Sequence, residues 1–404
     1  MRITAAIIVV FTAFIGVTYG FGMYLFASLV PAMMRDIGFS YLDLGIITSL
    51  AQIGFLVFAL LSGIITTRNG PYNVMMISIL ICSAGLAGLI WVESFWLLAV
   101  LMVMLSGTAA SVWTPMAEAT QELVPARHRG KALCLMSSGT AYGVFLGNVI
   151  IGLVFNAYGW RAVWLTTFGL SAALSITAGL LFRRIRSANA PGVRAGFQKA
   201  RGLRKAVTSI PKGPALLVVA VMFFNGMSAM PFQTYLSSYL VEEHGFTIVR
   251  AAGAWRFIGI VGMFSGFAMG WLGDRISIRW ALVLAQMFLL FASAALMLGA
   301  VEGGWIWIVS LAFGAAFYPI FGLVPAFISR NFIGSSASLV FATGNVCLGI
   351  GGAAGNMMGS GIKVMSGSFA WTYGFVMGAT VISAVLCLLL VDQAAASGKR
   401  DPSG

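Results

Sequence analysis

Residues 42–66 read LDLGIITSLAQIGFLVFALLSGIIT, and Asp43 is the one charged residue among them. About 20 apolar residues are enough to cross a bilayer as a helix, so this stretch predicts a transmembrane helix. Comparable apolar stretches recur along all 404 residues. The twelve predicted spans are 5–33, 42–66, 73–93, 95–119, 132–156, 162–182, 214–240, 249–271, 280–300, 304–329, 335–361 and 370–391. The sequence therefore predicts an all-α membrane protein with twelve transmembrane helices.

The composition of the chain fits this prediction. Hydrophobic residues make up 60% of the chain and charged residues 9%, whereas a soluble domain carries about 25% charged residues. The net charge of +13 would suit a nucleic-acid-binding protein, but the basic residues lie mostly in short segments between apolar spans. Basic residues in such loops set the orientation of a membrane protein. We therefore exclude nucleic acid as a partner and expect contact with membrane lipid.

The sequence offers no support for enzyme or metal chemistry. The four cysteines lie inside predicted spans, without a CxxC pair or the spacing of a metal site. His128 and His244 lie in predicted loops, and no GxxxxGK[ST] phosphate-binding loop occurs. We therefore expect no cofactor, no metal and no enzymatic activity. Any transport would be driven by a gradient of a solute or an ion.

The longest polar segment, residues 183–213, separates the sixth and seventh predicted spans. It contains nine basic residues and no acidic residue. If this segment is cytoplasmic, both termini are cytoplasmic too, and all but five of the 24 Lys and Arg residues lie on that side. The five others are Arg35, Arg161, Arg250, Arg256 and Lys363. The positive-inside rule predicts this orientation, and the segment can also contact anionic lipids.

The two halves of the chain repeat each other. The segment Gly63–Pro71 after the second span corresponds to Gly270–Arg275 after the eighth, at an offset of 207 residues. Glycines recur at every fourth position in the fifth and eleventh spans, which lets helix backbones approach closely: Gly139, Gly143 and Gly147, then Gly351, Gly355 and Gly359. We predict two pseudo-symmetric six-helix bundles, 1–182 and 214–392, a basic cytoplasmic linker, 183–213, and a cytoplasmic tail, 393–404.

The segment after the eighth span resembles the loop motif of the major facilitator superfamily. That motif reads Gly-x-x-x-Asp-Arg/Lys-x-Gly-Arg/Lys-Arg/Lys after the second helix, with a degenerate copy after the eighth. Gly270 and the pair Asp274-Arg275 match its front, whereas the first copy has Thr67 at the acidic position. In this family the aspartate makes a charge interaction that stabilises the outward-open state, and the first copy here lacks the carboxylate for it. The resemblance covers residues 5–391 and implies the major facilitator fold and alternating-access transport.

Four short patterns resemble the monocarboxylate and oxalate/formate branch of this superfamily: Gly16–Tyr24, Asp36–Ser40, Arg68–Pro71 and Gly159–Arg161. In that group an arginine on the eighth helix binds the substrate carboxylate, and the resemblance implies this role for Arg256. A guanidinium group makes paired hydrogen bonds with a carboxylate. The alternative is that Arg256 reaches the outer interface or neighbouring carbonyl groups. Ala252 stands where the animal relatives carry an acidic residue one turn earlier.

Further candidate residues follow from the helices that line the transport pathway in this family. With Arg256, the candidate substrate-binding residues are Tyr19, Tyr24, Trp113, Tyr142, Gln233, Tyr235 and Tyr318. Helix packing is the alternative for each of them. Candidate gating or coupling residues lie near the predicted cytoplasmic ends of spans: Arg68, Glu118, Asp274 and Arg275. Glu118 is either a proton-titrating site or part of a cytoplasmic gate. Lys363 is either a second anion contact or a side chain that reaches the interface.

The sequence thus predicts a secondary active transporter in the bacterial inner membrane. Its expected partners are a small or medium organic anion and, where transport is a symport, protons; exchange is the other mode. The alternative is a proton-driven exporter of drugs or metabolites, or a transporter of a neutral solute. Proton-driven export would favour an acidic residue deep in the N-terminal half, and the best candidate, Glu118, is peripheral. We expect a monomer.

Overall fold

The computed structural model describes residues 2–124, 129–188, 212–332 and 335–391, and nearly all of these residues are helical. Nine of the transmembrane helices are single elements: α2 (Tyr41–Asn69), α3 (Pro71–Gly88), α4 (Phe95–Leu123), α7 (Lys212–Glu242), α8 (Ile248–Arg275), α9 (Ile278–Met297), α10 (Trp305–Asn331), α11 (Ser335–Ser366) and α12 (Phe369–Leu389). The other three, which are described next, contain or adjoin irregular geometry: α1 (residues 2–37), α5 (139–158) and α6 (160–188).

Helices α5 and α6 are joined without a loop. Eleven described helical stretches are long and apolar enough to cross a membrane, and one of them, Leu135–Arg183, is 49 residues long. That is about twice the length that a bilayer requires. The backbone breaks at Gly159, where φ is 73° and ψ is −174°. We name the helix before this break α5 (139–158) and the helix after it α6 (160–188). The described residues therefore contain twelve spans, which confirms the predicted all-α membrane fold.

Helix α1 changes its geometry in the middle. Arg2–Ile15 is α-helical, Gly16–Tyr24 is a π-helix, and Leu25–Ile37 is α-helical again. π-Helical turns are rare and are found frequently at functional sites. Helix α1 ends at Gly38, whose φ of 80° lies in the left-handed region that glycine tolerates best.

The chain forms two compact units, and two helices contribute to both of them. The first unit contains Met1–Gln198 with Leu240–Gly259, and the second contains Lys199–Tyr239 with Ile260–Gly404. The end of α7 and the first part of α8 therefore pack with the six helices that precede them in the chain.

The predicted bundle boundaries, 1–182 and 214–392, follow chain order and stay a prediction. Most of the predicted linker, residues 189–211, lies outside the described residues. The predicted tail, 393–404, also lies outside them.

Glycines bring α1 and α5 into close contact within the first unit. A Cβ atom on Gly143 would lie less than 3.0 Å from the backbone of Gly16, and one on Gly139 would come equally close to the carbonyl oxygen of Thr12. Gly147 packs against the side chains of Phe21 and Leu25. Larger residues would push the two helices apart, which confirms the predicted role of this glycine stripe.

The second unit repeats this contact between α7 and α11. A Cβ atom on Gly351 would lie less than 3.0 Å from the carbonyl group of Phe223, and one on Gly355 would be equally close to the backbone of Met227. Helices α7 and α11 occupy the same places in the second half of the chain as α1 and α5 in the first. The internal repeat read from the sequence is therefore also a repeat of helix contacts.

An ion pair connects the end of α1 with the beginning of α6. The carboxylate of Asp36 accepts hydrogen bonds from Nε1 of Trp160, at 3.2 Å, and from the guanidinium group of Arg161. The Arg161 guanidinium also lies 4.3 Å from the centre of the Trp160 ring. Two of the short patterns quoted above thus meet, and their charged residues stabilise the junction.

Candidate functional site

The guanidinium group of Arg256 lies over bare backbone of α5. Arg256 is half-buried on the part of α8 that belongs to the first unit. A Cβ atom on Gly152 would overlap Nη1 of Arg256, so the absence of a side chain at Gly152 makes room for the guanidinium group. One α8 turn further on, Gly259 packs against Phe145 of α5. Two glycines, one on each helix, therefore allow α5 and α8 to pack closely around the arginine.

Arg256 has no hydrogen bond, ion pair or ring contact with any residue that the structure describes. Its neighbour on the same helix, Arg250, lies 3.8 Å from the centre of the Phe246 ring. A permanent charge inside a membrane helix is costly and is usually retained for function. The unpartnered, half-buried guanidinium is therefore the strongest ligand-binding candidate among the predicted residues.

Two of the predicted tyrosines lie together in the first unit. Tyr19 and Tyr24 belong to the π-helix of α1, and their ring centres are 6.4 Å apart. The Tyr19 ring also packs edge-on against Phe55 of α2, at 6.1 Å. Trp113 is half-buried on α4, and Tyr142 is exposed on α5. The irregular turn of α1 thus brings the two tyrosines together and places Tyr19 against α2.

The predicted residues of the second unit have mostly internal partners. The Tyr235 hydroxyl donates to the carbonyl oxygen of Asn356 at 2.6 Å, and the buried Gln233 amide donates to Sδ of Met230 at 3.4 Å. The Tyr318 ring lies against the bare backbone of Gly262. Tyr235 therefore contributes its hydroxyl to the contact between α7 and α11.

Lys363 caps its own helix. Its Nζ donates to the carbonyl oxygen of Gly367 at 3.0 Å and lies 4.2 Å from the centre of the Phe369 ring. These contacts stabilise the carboxyl end of α11, where a cation also interacts favourably with the helix dipole. The local contacts favour the structural alternative for this lysine.

The predicted gating residues lie near helix ends. Asp274 forms an ion pair of 2.5 Å with Arg330 at the end of α10, and the Arg275 guanidinium lies 4.1 Å from the Trp271 ring centre. Arg68 is exposed near the end of α2, and Glu118 is half-buried on α4. The aspartate of the better preserved motif copy therefore connects α8 with α10 inside the second unit.

Sequence reasoning missed two features of the first unit. The Tyr41 hydroxyl donates to the carboxylate of Glu242, which connects α2 with the end of α7. On α5, Asn148 is 1% exposed, and its Oδ1 has no hydrogen-bond partner in the described part of the chain. An amide inside an apolar span was visible in the sequence, but its missing partner was not.

These features define a class of protein before any comparison. Twelve apolar helices, an internal repeat and an unpaired intramembrane charge are typical of a multi-pass membrane transporter. Residues 12–356 match the family model described as Major Facilitator Superfamily. The chain therefore belongs to the Major Facilitator Superfamily, as its sequence motifs indicated, and it is an integral membrane transporter.

Several curated relatives are transporters of different substrates. The chain is 25% identical over 282 residues to a gallate transporter from Pseudomonas putida, and the match covers 63% of each protein. It is 22% identical to a hexuronate transporter from Bacillus subtilis, over 87% of each. It is also 25% identical to a multi-drug resistance efflux pump from Streptococcus pneumoniae, over 81% of each. These names differ in substrate and in the direction of transport.

A solved structure has the same fold. It is a bacterial homologue of the human lysosomal transporter Spinster, in an inward-facing and unoccupied conformation. The TM-score is 0.72 at 14% sequence identity, and the match covers 96% of this chain and 95% of the other. At this identity the likeness concerns the fold alone, and it confirms the major facilitator architecture.

Proposed function

We propose that this chain is a secondary active transporter of organic carboxylates. The observation that carries the proposal is Arg256, a permanent cation that is half-buried in α8 and has no partner among the described residues. Leaving such a charge unpaired in a membrane is costly. A substrate carboxylate would neutralise it and would accept two parallel hydrogen bonds from the guanidinium group.

The names of three relatives support the chemical class of the substrate. Curated relatives include transporters named for gallate, hexuronate and tartrate, all of which are carboxylates. The tartrate relative, from Agrobacterium vitis, is described as putative and is 25% identical over 91% of this chain. Names that refer to carboxylate transport thus occur among proteins that match most of this chain.

The proposal includes a membrane, an orientation and a mode of coupling. The excess of basic residues in the predicted cytoplasmic segments supports an inner-membrane protein with both termini in the cytoplasm. Alternating access would move a single carboxylate, with protons or by exchange with a second anion. Tyr19 and Tyr24 are the aromatic residues of the first unit that we assign to the same pathway.

The test compares the carboxylate binding of the purified variants Arg256→Gln and Arg250→Gln with that of the wild type. Both substitutions remove one arginine charge from α8, but Arg250 is exposed and lies over Phe246. A carboxylate that binds the wild type should raise its melting temperature by mass action. We expect Arg256→Gln to weaken this binding about a hundredfold, because charged hydrogen bonds are lost. Arg250→Gln should bind nearly as the wild type does.

The competing function is proton-driven export of drugs or other metabolites. The specific observation in its favour is the similarity to the efflux pump from Streptococcus pneumoniae, over 81% of each protein. The same experiment separates the two functions. Stabilisation by neutral or cationic compounds that survives Arg256→Gln would overturn the carboxylate proposal, and the half-buried Glu118 would become the first residue to test for proton coupling.

A further inference from the structure

Asn148 has an unmet hydrogen-bond acceptor in the interior of the first unit. Its side chain is 1% exposed, and Nδ2 donates to the carbonyl oxygen of Val144 at 2.9 Å. Oδ1 has no partner in the described part of the chain. Most buried polar atoms in proteins are paired, so an unpaired one requires an explanation.

The second half of the chain contains a paired counterpart. Gly143, Gly147 and Asn148 recur 208 residues later as Gly351, Gly355 and Asn356. Asn356 is buried as well, but its Oδ1 accepts a hydrogen bond from the Thr234 hydroxyl of α7 at 3.1 Å. The same fold position therefore has a built-in donor in the second unit.

Helix α1 makes no such hydrogen bond to Oδ1 of Asn148 through the residues that the structure describes. At the offset of 207 residues found between the loop motifs, Thr234 corresponds to Ala27 of α1. The next residue, Ser28, is buried, and its hydroxyl also has no partner in the described part of the chain. Alanine has no side-chain donor, so it cannot take the place of the threonine hydroxyl. The unpaired oxygen of Asn148 thus results from a difference between two otherwise similar helix contacts.

Asn148 lies on the face of α5 that packs against α8. Phe145 and Gly152 contact Gly259 and Arg256 of α8, and Asn148 lies between them along α5. At 3.6 residues per turn, Asn148 and Gly152 differ by roughly 40° in direction and about 6 Å in height. The unpaired oxygen and the unpaired guanidinium therefore belong to neighbouring positions of one helix contact.

We infer that Asn148 accepts a hydrogen bond from a hydroxyl group of the substrate whose carboxylate binds Arg256. This inference rests on the carboxylate function proposed above and narrows it to hydroxylated carboxylates. A hydroxyl group is a neutral donor, so it satisfies Oδ1 without adding charge. An ammonium group would also satisfy Oδ1, but it would be repelled by the nearby guanidinium cation. Amino acids are therefore disfavoured as substrates.

The test measures binding of matched carboxylates to the purified full-length protein by titration calorimetry. The pairs are gallate with benzoate, tartrate with succinate, and gluconate with hexanoate, in which the first member carries hydroxyl groups. We expect the wild type to bind the hydroxylated member of at least one pair about tenfold more tightly, as one hydrogen bond to a buried acceptor would give. Asn148→Leu should abolish this preference, so that both members of each pair bind with similar affinity.

Two further variants keep the result interpretable. Gln286→Leu is the matched control, because Gln286 is fully buried in the second unit and its Oε1 also lacks a partner among the described residues. It should retain the preference for the hydroxylated member. If Asn148→Leu does not yield folded protein, Asn148→Ala removes the same amide without adding an apolar branch. It is expected to lose the preference in the same way.

The possible outcomes separate this inference from the proposed function. If carboxylates bind and depend on Arg256, but Asn148→Leu or Asn148→Ala keeps the preference for the hydroxylated member, the Asn148 inference is wrong and the carboxylate function stands. If the wild type binds both members of every pair equally, the Asn148 inference is also wrong and the carboxylate function stands. If no carboxylate binds the wild type, the proposed function fails and the inference fails with it.

Discussion

The contact between α1 and α5 and the contact between α7 and α11 are two versions of one arrangement. Both bring helix backbones together at glycines, Gly143 in the first unit and Gly351 in the second. They differ in the asparagine that follows: Asn356 receives a hydrogen bond from α7, whereas Oδ1 of Asn148 receives none from the described residues. The repeat is kept in the glycine contacts and is lost in the hydrogen bond of the asparagine.

Steric and polar requirements explain why these two features diverge. A glycine contact needs only a missing side chain, and one residue is enough to satisfy that requirement. A buried hydrogen bond between two helices needs a donor on one helix and an acceptor on the other. A single change from threonine to alanine removes the donor, and the bond is lost. Internal repeats can therefore keep their packing while they lose their polar pairing.

The largest expected effect comes from filling the glycine contacts. Gly143→Leu and Gly351→Leu should each destabilise the fold by about 3 kcal/mol or more, because the added atoms would collide with the backbone of the neighbouring helix. Loss of monodisperse protein in size-exclusion chromatography is the measurement. Gly169→Leu and Gly378→Leu are the controls, since a Cβ atom at either position meets nothing within 4 Å.

If Gly143→Leu and Gly351→Leu both behave like these controls, the close contacts do not hold the helices. If only one of them is tolerated, the two units do not depend equally on the repeated contact.

A smaller effect should distinguish the two asparagines. Asn356→Leu should cost about 1 to 2 kcal/mol of unfolding free energy, because it leaves the buried Thr234 hydroxyl without its acceptor. Asn148→Leu should change stability by less than about 0.5 kcal/mol, because Oδ1 is already unpaired and Nδ2 bonds only the Val144 carbonyl oxygen one turn earlier in the same helix, among the described residues. Urea unfolding of the detergent-solubilised protein measures both. Equal losses would show that Oδ1 of Asn148 has a structural partner after all.

The smallest effect concerns one ion pair in each unit. Asp36→Asn weakens contacts with Arg161 and Trp160, whereas Asp274→Asn weakens one ion pair, with Arg330, among the described residues. All of these pairs are partly exposed, so we expect losses of about 1 kcal/mol or less, larger for Asp36. Melting temperatures at low and high salt check the order. A larger loss for Asp274→Asn would mean that its ion pair has a role beyond local stability.

The fold was largely predictable because a membrane imposes simple rules. Apolar length gave the twelve spans, and glycine spacing gave the helix contacts, since both follow from one-dimensional patterns. The join between α5 and α6 was less visible, because it is made by the backbone of Gly159 rather than by a polar loop. The change of α1 into a π-helix was not predictable from residue types, because it depends on hydrogen bonding along the whole turn.

The candidate site was predictable only in part. An arginine within an apolar span is costly and therefore conspicuous, and the resemblance to the monocarboxylate branch implied a role for Arg256. The sequence could not tell that Tyr235 uses its hydroxyl to bond α11, or that Lys363 caps its own helix. These roles depend on which groups lie within hydrogen-bonding distance, and residue spacing does not give that distance for groups on different helices.

The sequence by itself thus determined the membrane, the twelve helices, the internal repeat and the one charge that most needs a partner. Only the tertiary structure decided which polar groups are satisfied. It paired Asn356 with Thr234 and left Arg256 and Oδ1 of Asn148 without partners among the described residues. The physical reason is that hydrophobicity is a property of each residue, whereas a hydrogen bond is a property of two groups and of the distance between them.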